Sequence, residues 1–329
     1  MSLRGDLASL VGKTPLWRYF EFRQKMPRIL FYHGVINNNY IDKRIQANQI
    51  QLSAFEKQIQ FLLKEFHFIS LPEFYERFIK KDNFTGKELL LTFDDGYKNN
   101  YSVAYPFLAS VGVPFSVFVC SDLIDVEGYV PTYYIRSAIL GGDIKVLDIE
   151  CLKKRILLSN DLVKGSVMNE LISLIKTLGD GDVRRILADV EKSLPEGKRQ
   201  ELNSFFSSEQ LMSWEDVKTL SSNGVVIGSH SKTHSILHSN QPEESIACQL
   251  IDSKQKIIDH LGECDYFAFP NGDNRSVSDY SIKQARSYYK MSFAVNGKAV
   301  SMDDDIAYIS RISSSFDLDS LKVQLSMLS

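Results

Sequence analysis

The sequence predicts an α/β fold: a distorted parallel (β/α) barrel of about seven strands with a helical insertion. Three observations predict it. Short apolar runs of strand length alternate with stretches of helical period along most of the 329 residues. About seven such β/α repeats favour a closed parallel barrel over an open sheet. Two of the apolar runs end in clusters of polar side chains, where parallel α/β folds place their chemistry.

Residues 1–27 read as an N-terminal helical segment and 28–329 as the barrel domain. Arg28-Ile29-Leu30-Phe31-Tyr32-His33 is the first buried strand. Ser53-Ala54-Phe55-Glu56 has the form of a capping box. It opens a helix with Phe55, Ile59, Leu62, Leu63 and Phe66 on one face. Phe68-Ile69-Ser70 is a short strand, and Pro72 suits the first turn of the next helix. Glu88 to Asp95 is a strand, Asn99 to Val111 a helix and Pro114 to Cys120 another strand. The rhythm then breaks. Residues from about 125 to 208 are mostly helical in pattern, with charge clusters such as Lys153-Lys154-Arg155, and read as a helical insert. It resumes with a helix opening at Ser213-Trp214-Glu215-Asp216 and a strand from Gly224 to His230. A long helix (Pro242 to Leu261), a strand (Asp265 to Pro270), a helix (Val277 to Tyr289) and a strand (Met291 to Val295) follow. Ile306 to Ile312 is the last strand, and a helix from Asp319 ends the chain.

Composition narrows the function classes. Hydrophobic residues make up 44%, enough for a large core, and the net charge of −3 gives no drive toward nucleic acid. Cys120, Cys151, Cys248 and Cys264 are widely spaced and form no C-x-x-C pair, so reduced thiols are expected rather than a thiolate metal site or disulfide framework. No run reaches the ~18 apolar residues of a spanning helix. The basic N-terminus lacks the apolar core of a signal peptide. A cytoplasmic location is therefore expected. Trp17-Arg18-Tyr19-Phe20-Glu21-Phe22-Arg23-Gln24-Lys25 interleaves aromatic and basic residues, which suits peripheral membrane contact. A helix capping the bottom of the barrel is the alternative.

The chemistry gathers at two strand ends. Thr92-Phe93-Asp94-Asp95-Gly96 follows Glu88-Leu89-Leu90-Leu91. Ser229-His230-Ser231-Lys232-Thr233-His234 follows Val225-Val226-Ile227-Gly228. One carboxylate with two imidazoles is a three-ligand set for a catalytic zinc-type ion, and the second carboxylate is free to act as a base. Asp-Asp-Gly alone also reads as a turn. Two histidines four apart share a face if they lie on one helical turn, or are simply surface residues. Adjacent strand residues point to opposite faces, so both aspartates reach one pocket only if the strand frays there. His238 is read as lying behind the site or exposed, and His67 and His260 as solvated.

Together these two motifs resemble the polysaccharide deacetylase family, the NodB-homology group also known as carbohydrate esterase family four. The resemblance covers roughly Arg28 to Ile312 outside the helical insert. It implies Asp94 as general base and Asp95, His230 and His234 as metal ligands. The family's third motif, Arg-x-Pro-Tyr-Gly, is here Phe267-Ala268-Phe269-Pro270-Asn271-Gly272. Ala268 stands at the arginine position and Asn271 at the tyrosine position. The Asn271 N–H still serves as an oxyanion donor, since that role needs no particular side chain. Arg311 is the candidate to replace the lost arginine, and a surface arginine is the alternative. The family's late leucine-x-histidine motif, source of its general acid, is absent. Tyr32-His33-Gly34-Val35 instead resembles the Tyr-His-x-Val opening of the branch that includes poly-N-acetylglucosamine deacetylases. There an early histidine supplies the acid, which here is His33. The alternative is a His33 hydrogen-bonded in the core.

The resemblance implies a metal-dependent hydrolase that removes an N-acetyl group from an amino sugar of a surface-polysaccharide or glycan precursor, lipid-linked or nucleotide-linked. Zinc is the default ion, and cobalt and nickel also suit an Asp/His/His set. An O-acetyl esterase, a deformylase, or a catalytically inactive carbohydrate-binding homologue are the competing readings.

Overall fold

Strand β1 (Arg28–Tyr32) is buried along its whole length, as a strand covered on both faces must be. In the computed structural model it pairs in parallel with two neighbours. The residues described are 14, 25–40, 42–126, 128–296, 299–314 and 317–327. The expected N-terminal helical segment, with the aromatic-basic stretch from Trp17 to Gln24, lies outside them.

The strands follow in chain order as β2 (Gly34–Ile36), β3 (Gln49–Gln51), β4 (His67–Phe68), β5 (Glu88–Phe93), β6 (Ser116–Val119), β7 (Val146–Ile149), β8 (Lys154–Leu157), β9 (Val226–Ser229), β10 (Tyr266–Ala268), β11 (Met291–Ala294), β12 (Ile309–Ser310) and β13 (Ile312–Ser313). The main sheet runs β12-β11-β10-β9-β6-β5-β1-β13, and β4 adds to β5. All of its pairings are parallel. The two ends of this path, β12 and β13, are separated in sequence by Arg311 alone. The path is therefore a nearly closed ring: a distorted (β/α) barrel.

Side-chain alternation sorts the core. Ile29, Leu90, Phe118, Ala268, Phe293 and Ile309 pack together. Leu30, Leu91, Val117, Ile227 and Phe267 belong to a second cluster that takes in helical residues such as Phe55, Ile59 and Leu250. Ile29, Phe31 and His33 thus share one side of the first strand and its extension, as do Leu90, Thr92 and Asp94 on β5.

Local expectations met several differences. The helix expected to open with a capping box at Ser53 is capped two residues earlier, at Gln51, without a side-chain bond, and runs from Leu52. The helix from Asn99 is a π-turn (Asn100–Ala104) continuing into an α-helix (Tyr105–Ser110). The Ser213/Asp216 capping box is present. Between β6 and β9 lie helices Pro131–Gly141, Asp161–Ile175, Asp180–Lys192 and Lys198–Phe205. Between the first two sits an antiparallel hairpin, β7–β8, where the sequence reads mostly as helix. Lys153, in the left-handed region at φ 51°, makes its turn. These elements bury a cluster of their own around Ile139, Leu147, Met168, Leu171 and Val190. Among the described residues no helix is long and apolar enough to cross a membrane.

Candidate active site

At the C-terminal ends of the barrel strands lies a cavity of about 290 Å³, lined among others by His33, Asp94, Asp95, His230, His234 and Asn271. The backbone brings the two aspartates together. Asp94 stays in the β5 alternation, and its N–H donates to the Tyr32 carbonyl (2.9 Å). Asp95 turns left-handed, at φ 74°. That reversal takes its side chain out of the alternation and into the same cavity.

The histidines meet by a comparable device. His230 and His234 do not lie on a helical turn. They flank an irregular loop in which Ser231 (φ 65°) and His234 (φ 58°) are left-handed. Asn271 is left-handed too, at φ 60°. Such conformations are costly for residues other than glycine and persist where the surroundings enforce them, commonly at active sites.

Asp95 Oδ1 lies 3.4 Å from His230 Nε2 and 3.2 Å from His234 Nε2. One ligand atom from each of the three residues falls within 4.8 Å of the others. His230 Nδ1 donates to the Ala268 carbonyl (2.7 Å), which fixes the tautomer and leaves Nε2 as a lone pair facing Asp95. Asp95 Oδ1 is buried with no hydrogen-bond donor. Two imidazole nitrogens converging on an orphaned buried carboxylate oxygen make a three-donor set that fits a divalent cation, which would satisfy all of them. Burial pushes the Asp95 carboxyl up, but His234 and His230 hold it well below the ordinary carboxylate range. Burial pushes His230 down, and Asp94 and Asp95 more than reverse this, so its pKa is raised. These carboxylates therefore favour positive charge at the point where the donors converge.

Asp94 is held from the opposite side. Arg311 Nη1 donates to Asp94 Oδ1 and Nη2 to Oδ2, both at 2.7 Å, and Nη1 also donates to Thr92 Oγ1 (3.2 Å). The guanidinium is fully buried, 4.6 Å above the Phe31 ring. Burial raises the Asp94 pKa, but the charge of Arg311, then His230 and the Arg311 hydrogen bonds, bring it below the ordinary carboxylate value. Arg311 reaches this place because it interrupts the last strand between β12 and β13.

His33 follows β1 at the cavity wall. Its Nε2 is 3.5 Å from Asn48 Nδ2. Burial lowers its pKa, and the charges of Asp95 and Asp94 only partly offset this. Its backbone is fixed by Asn100, whose Nδ2 donates to the His33 carbonyl (2.7 Å), and by Asn99, which accepts from Val35 N (3.1 Å). Gly34 lies so close to this cluster that a Cβ would overlap Gln49 Oε1. The Asn271 N–H has no acceptor among the described residues and borders the cavity. His238 is buried outside the three-ligand group, its Nδ1 accepting from Asn240 N (3.1 Å). His260, expected to be solvated, stacks on Trp214.

Several cavity residues escaped the sequence reading. Tyr97 lines the cavity with Asp95, and burial, with the charge of Asp95 adding to it, pushes its phenol well above the ordinary value. Arg136 and Lys176 come from the helical region. The one sequence cue for the supporting Asn99-Asn100 pair is its closeness to Asp95.

Solved structures share this fold. The structure resembles Streptococcus pyogenes deacetylase PplD in complex with acetate: TM-score 0.58, 16% identity, covering 91% of this chain and 97% of that one. It also resembles IcaB from Ammonifex degensii: TM-score 0.56, 18% identity, covering 92% of this chain and 96% of that one. At these identities the likeness is one of fold. In sequence, the chain is 28% identical over 112 residues to Bacillus subtilis YxkH, provisionally named a polysaccharide deacetylase. That match spans 34% of this chain and 37% of YxkH. The polysaccharide deacetylase family model matches residues 81–164 and 174–289, more than half of the sequence, and the chain belongs to the polysaccharide deacetylase family.

Proposed function

We propose that this protein is a metal-dependent carbohydrate N-deacetylase that converts an N-acetylated amino sugar to the free amine and acetate. One observation carries the reading: a buried carboxylate clamped by arginine (Asp94–Arg311) shares a cavity with a convergent Asp95/His230/His234 donor set.

Asp95, His230 and His234 would hold the ion. When bound, a divalent ion supplies Lewis-acid polarisation of the amide oxygen and of water, with zinc the first choice and cobalt or nickel also suited. The remaining work falls to the protein's own groups. Asp94, kept ionised by Arg311, accepts the proton of the attacking water. Arg311 fixes both carboxylate oxygens, so the base has one orientation. The Asn271 N–H donates to the developing oxyanion. His33 gives a proton to the departing nitrogen, which is a poor leaving group without one. The Tyr32-His33-Gly34-Val35 sequence, with β1 beside β13, supports this acid and with it the branch of the family that opens on Tyr-His-x-Val.

The test is acetate release from a panel of N-acetylated and O-acetylated sugars, free, nucleotide-linked and lipid-linked, by protein stripped of metal and then reloaded with zinc, cobalt or nickel. Metal-restored release from N-acetyl sugars is expected. Release from O-acetyl sugars alone would make the protein an esterase, and no release from any sugar would leave a binding protein.

A further inference from the structure

The cavity that holds the deacetylation site also carries positive charge that the reaction does not use. Arg136, on helix Pro131–Gly141, and Lys176, just past helix Asp161–Ile175, both line it. Arg136 is half-buried and Lys176 stands exposed at the rim. Neither has an ion-pair partner among the described residues. Arg136 spends one N–H on the Arg44 carbonyl (3.2 Å). Desolvation at the wall and the charges of Arg136 and Arg275 depress the Lys176 ammonium, with Asp273 pulling the other way.

Among the described residues that line the cavity, Asp273 is the remaining carboxylate beside Asp94 and Asp95, and it is already engaged. Its Oδ1 accepts from Arg275 N (2.9 Å), Ser276 N (3.0 Å) and Ser276 Oγ (3.0 Å). Asp94 is neutralised by Arg311, and Asp95 faces the cation site. Asp273 Oδ2 also pairs with Arg275 Nη2 (3.9 Å), so Arg136 and Lys176 are left as two cavity-lining cations without a counter-charge among the described residues. Like charges held together without counter-charge cost stability, and such a cluster in a cleft marks an anion site.

From this we infer that the substrate is a phosphorylated amino sugar. Arg136 and Lys176 receive its phosphate oxygens while its acetamido group lies at Asp94. Guanidinium and ammonium groups are the usual phosphate receptors. A surplus of two positive charges matches the dianion of a phosphate ester better than a single carboxylate. A volume of about 290 Å³ is at the small end of ligand sites and suits one sugar with its phosphate. A second, mainly apolar chamber of about 150 Å³ adjoins it and shares Thr132, Lys176 and His234. A sugar 1-phosphate carries two negative charges on one phosphate, and nucleoside diphosphate and polyprenyl diphosphate conjugates carry two over a pair of phosphates; all three offer anionic phosphate oxygens to Arg136 and Lys176.

This inference rests on the deacetylase reading, and its test separates the two. Metal-loaded D94N protein is titrated calorimetrically with N-acetylglucosamine and with N-acetylglucosamine 1-phosphate. The phosphate form should bind at least tenfold tighter, with an advantage that shrinks as sodium chloride is raised. Adding R136Q should remove most of that advantage. K176Q, at the rim and away from the Arg44 contact, should remove a smaller part and serves if R136Q folds poorly. The uridine diphosphate and geranyl diphosphate conjugates are the further arms, and the tighter of the two names the source. Equal affinity for sugar and sugar phosphate, or an advantage untouched by either variant, overturns the inference. In parallel, the unsubstituted enzyme is assayed for acetate release. Release without phosphate preference sinks this inference alone, and phosphate preference without release sinks the deacetylase reading alone.

Discussion

On the barrel side of the cavity every charge has an assigned neighbour. Arg311 grips Asp94 through two hydrogen bonds, and Asp95 faces two imidazoles. On the helical side Arg136 and Lys176 face the same space with no ion-pair partner among the described residues. A pre-paired wall holds its groups in fixed orientation and with a defined starting charge, from which a proton can be accepted or given. An unpaired wall is held ready for something that arrives. On the reading proposed above, the contrast places chemistry on the barrel and recognition on the helices.

The sharpest way to break that contrast is at the proposed base. D94N should lower acetate release by about 10²–10⁴-fold, the span of general base catalysis, with metal still bound at full stoichiometry by elemental analysis. H230A should lose both metal and turnover. Equal metal loss in the two variants would mean that base and ligand have been exchanged.

Next in size is the clamp. R311Q leaves a buried carboxylate unpaired, and thermal or denaturant unfolding should report a loss of about 3–5 kcal/mol at neutral pH. The sign follows from Asp94, whose pKa in the fold is depressed. Its stabilising contribution is full above the unfolded carboxylate value and disappears as pH falls through the folded value. The wild-type advantage over R311Q should therefore shrink in acid. An advantage that held constant down to pH 2 would place the stabilisation elsewhere.

His33 offers a smaller, selective effect. H33A should depress amide hydrolysis by about 10²-fold or more while sparing hydrolysis of an O-acetyl ester, since an alkoxide leaves with little help from an acid. Parallel losses on both substrates would remove His33 from the acid's role.

The smallest effect probes the helical side. Glu209 is fully buried, accepts from Ser208 Oγ (2.7 Å) and leaves Oε2 without a partner. Desolvation raises its pKa. Folding then binds a proton, and stability from this group falls as pH rises from its unfolded value through the folded one. E209Q should consequently be more stable than wild type at pH 8 and lose that margin below about pH 4, under the reference glutamate value. A margin independent of pH would show that packing, not ionisation, is at work.

How far the sequence could be read differs between the same two regions. The barrel strands were legible because burial on both faces writes continuous apolar runs, and Asp94, Asp95, His230 and His234 stood out as polar groups ending such runs. Arg311 was legible as a candidate, whereas its placement between two strand fragments was not. The histidine spacing suggested a helical turn, but left-handed residues at 231 and 234 bring the rings together instead. The β7–β8 hairpin was hidden because Lys153-Lys154-Arg155 carries no turn signal, and only the backbone reveals Lys153 as left-handed. Arg136 and Lys176 were unreadable as site residues. A cation in or beside a helix looks like part of a solvated face until the fold shows what it borders.

The interruption of the last strand at Arg311 ties catalysis to the seam of the ring. The Arg311 N–H is bonded to Ala294 on one flank, and Ser314 N–H to Phe31 on the other. A local opening that unzips residues 309–314 would release the guanidinium from Asp94 while leaving His230 and His234 in place on the loop that follows β9. Such a partially open molecule would keep its metal and lose its aimed base. Protection of the Ile312 and Ser314 amides against deuterium exchange should then track the active fraction, so that one free energy of opening governs both.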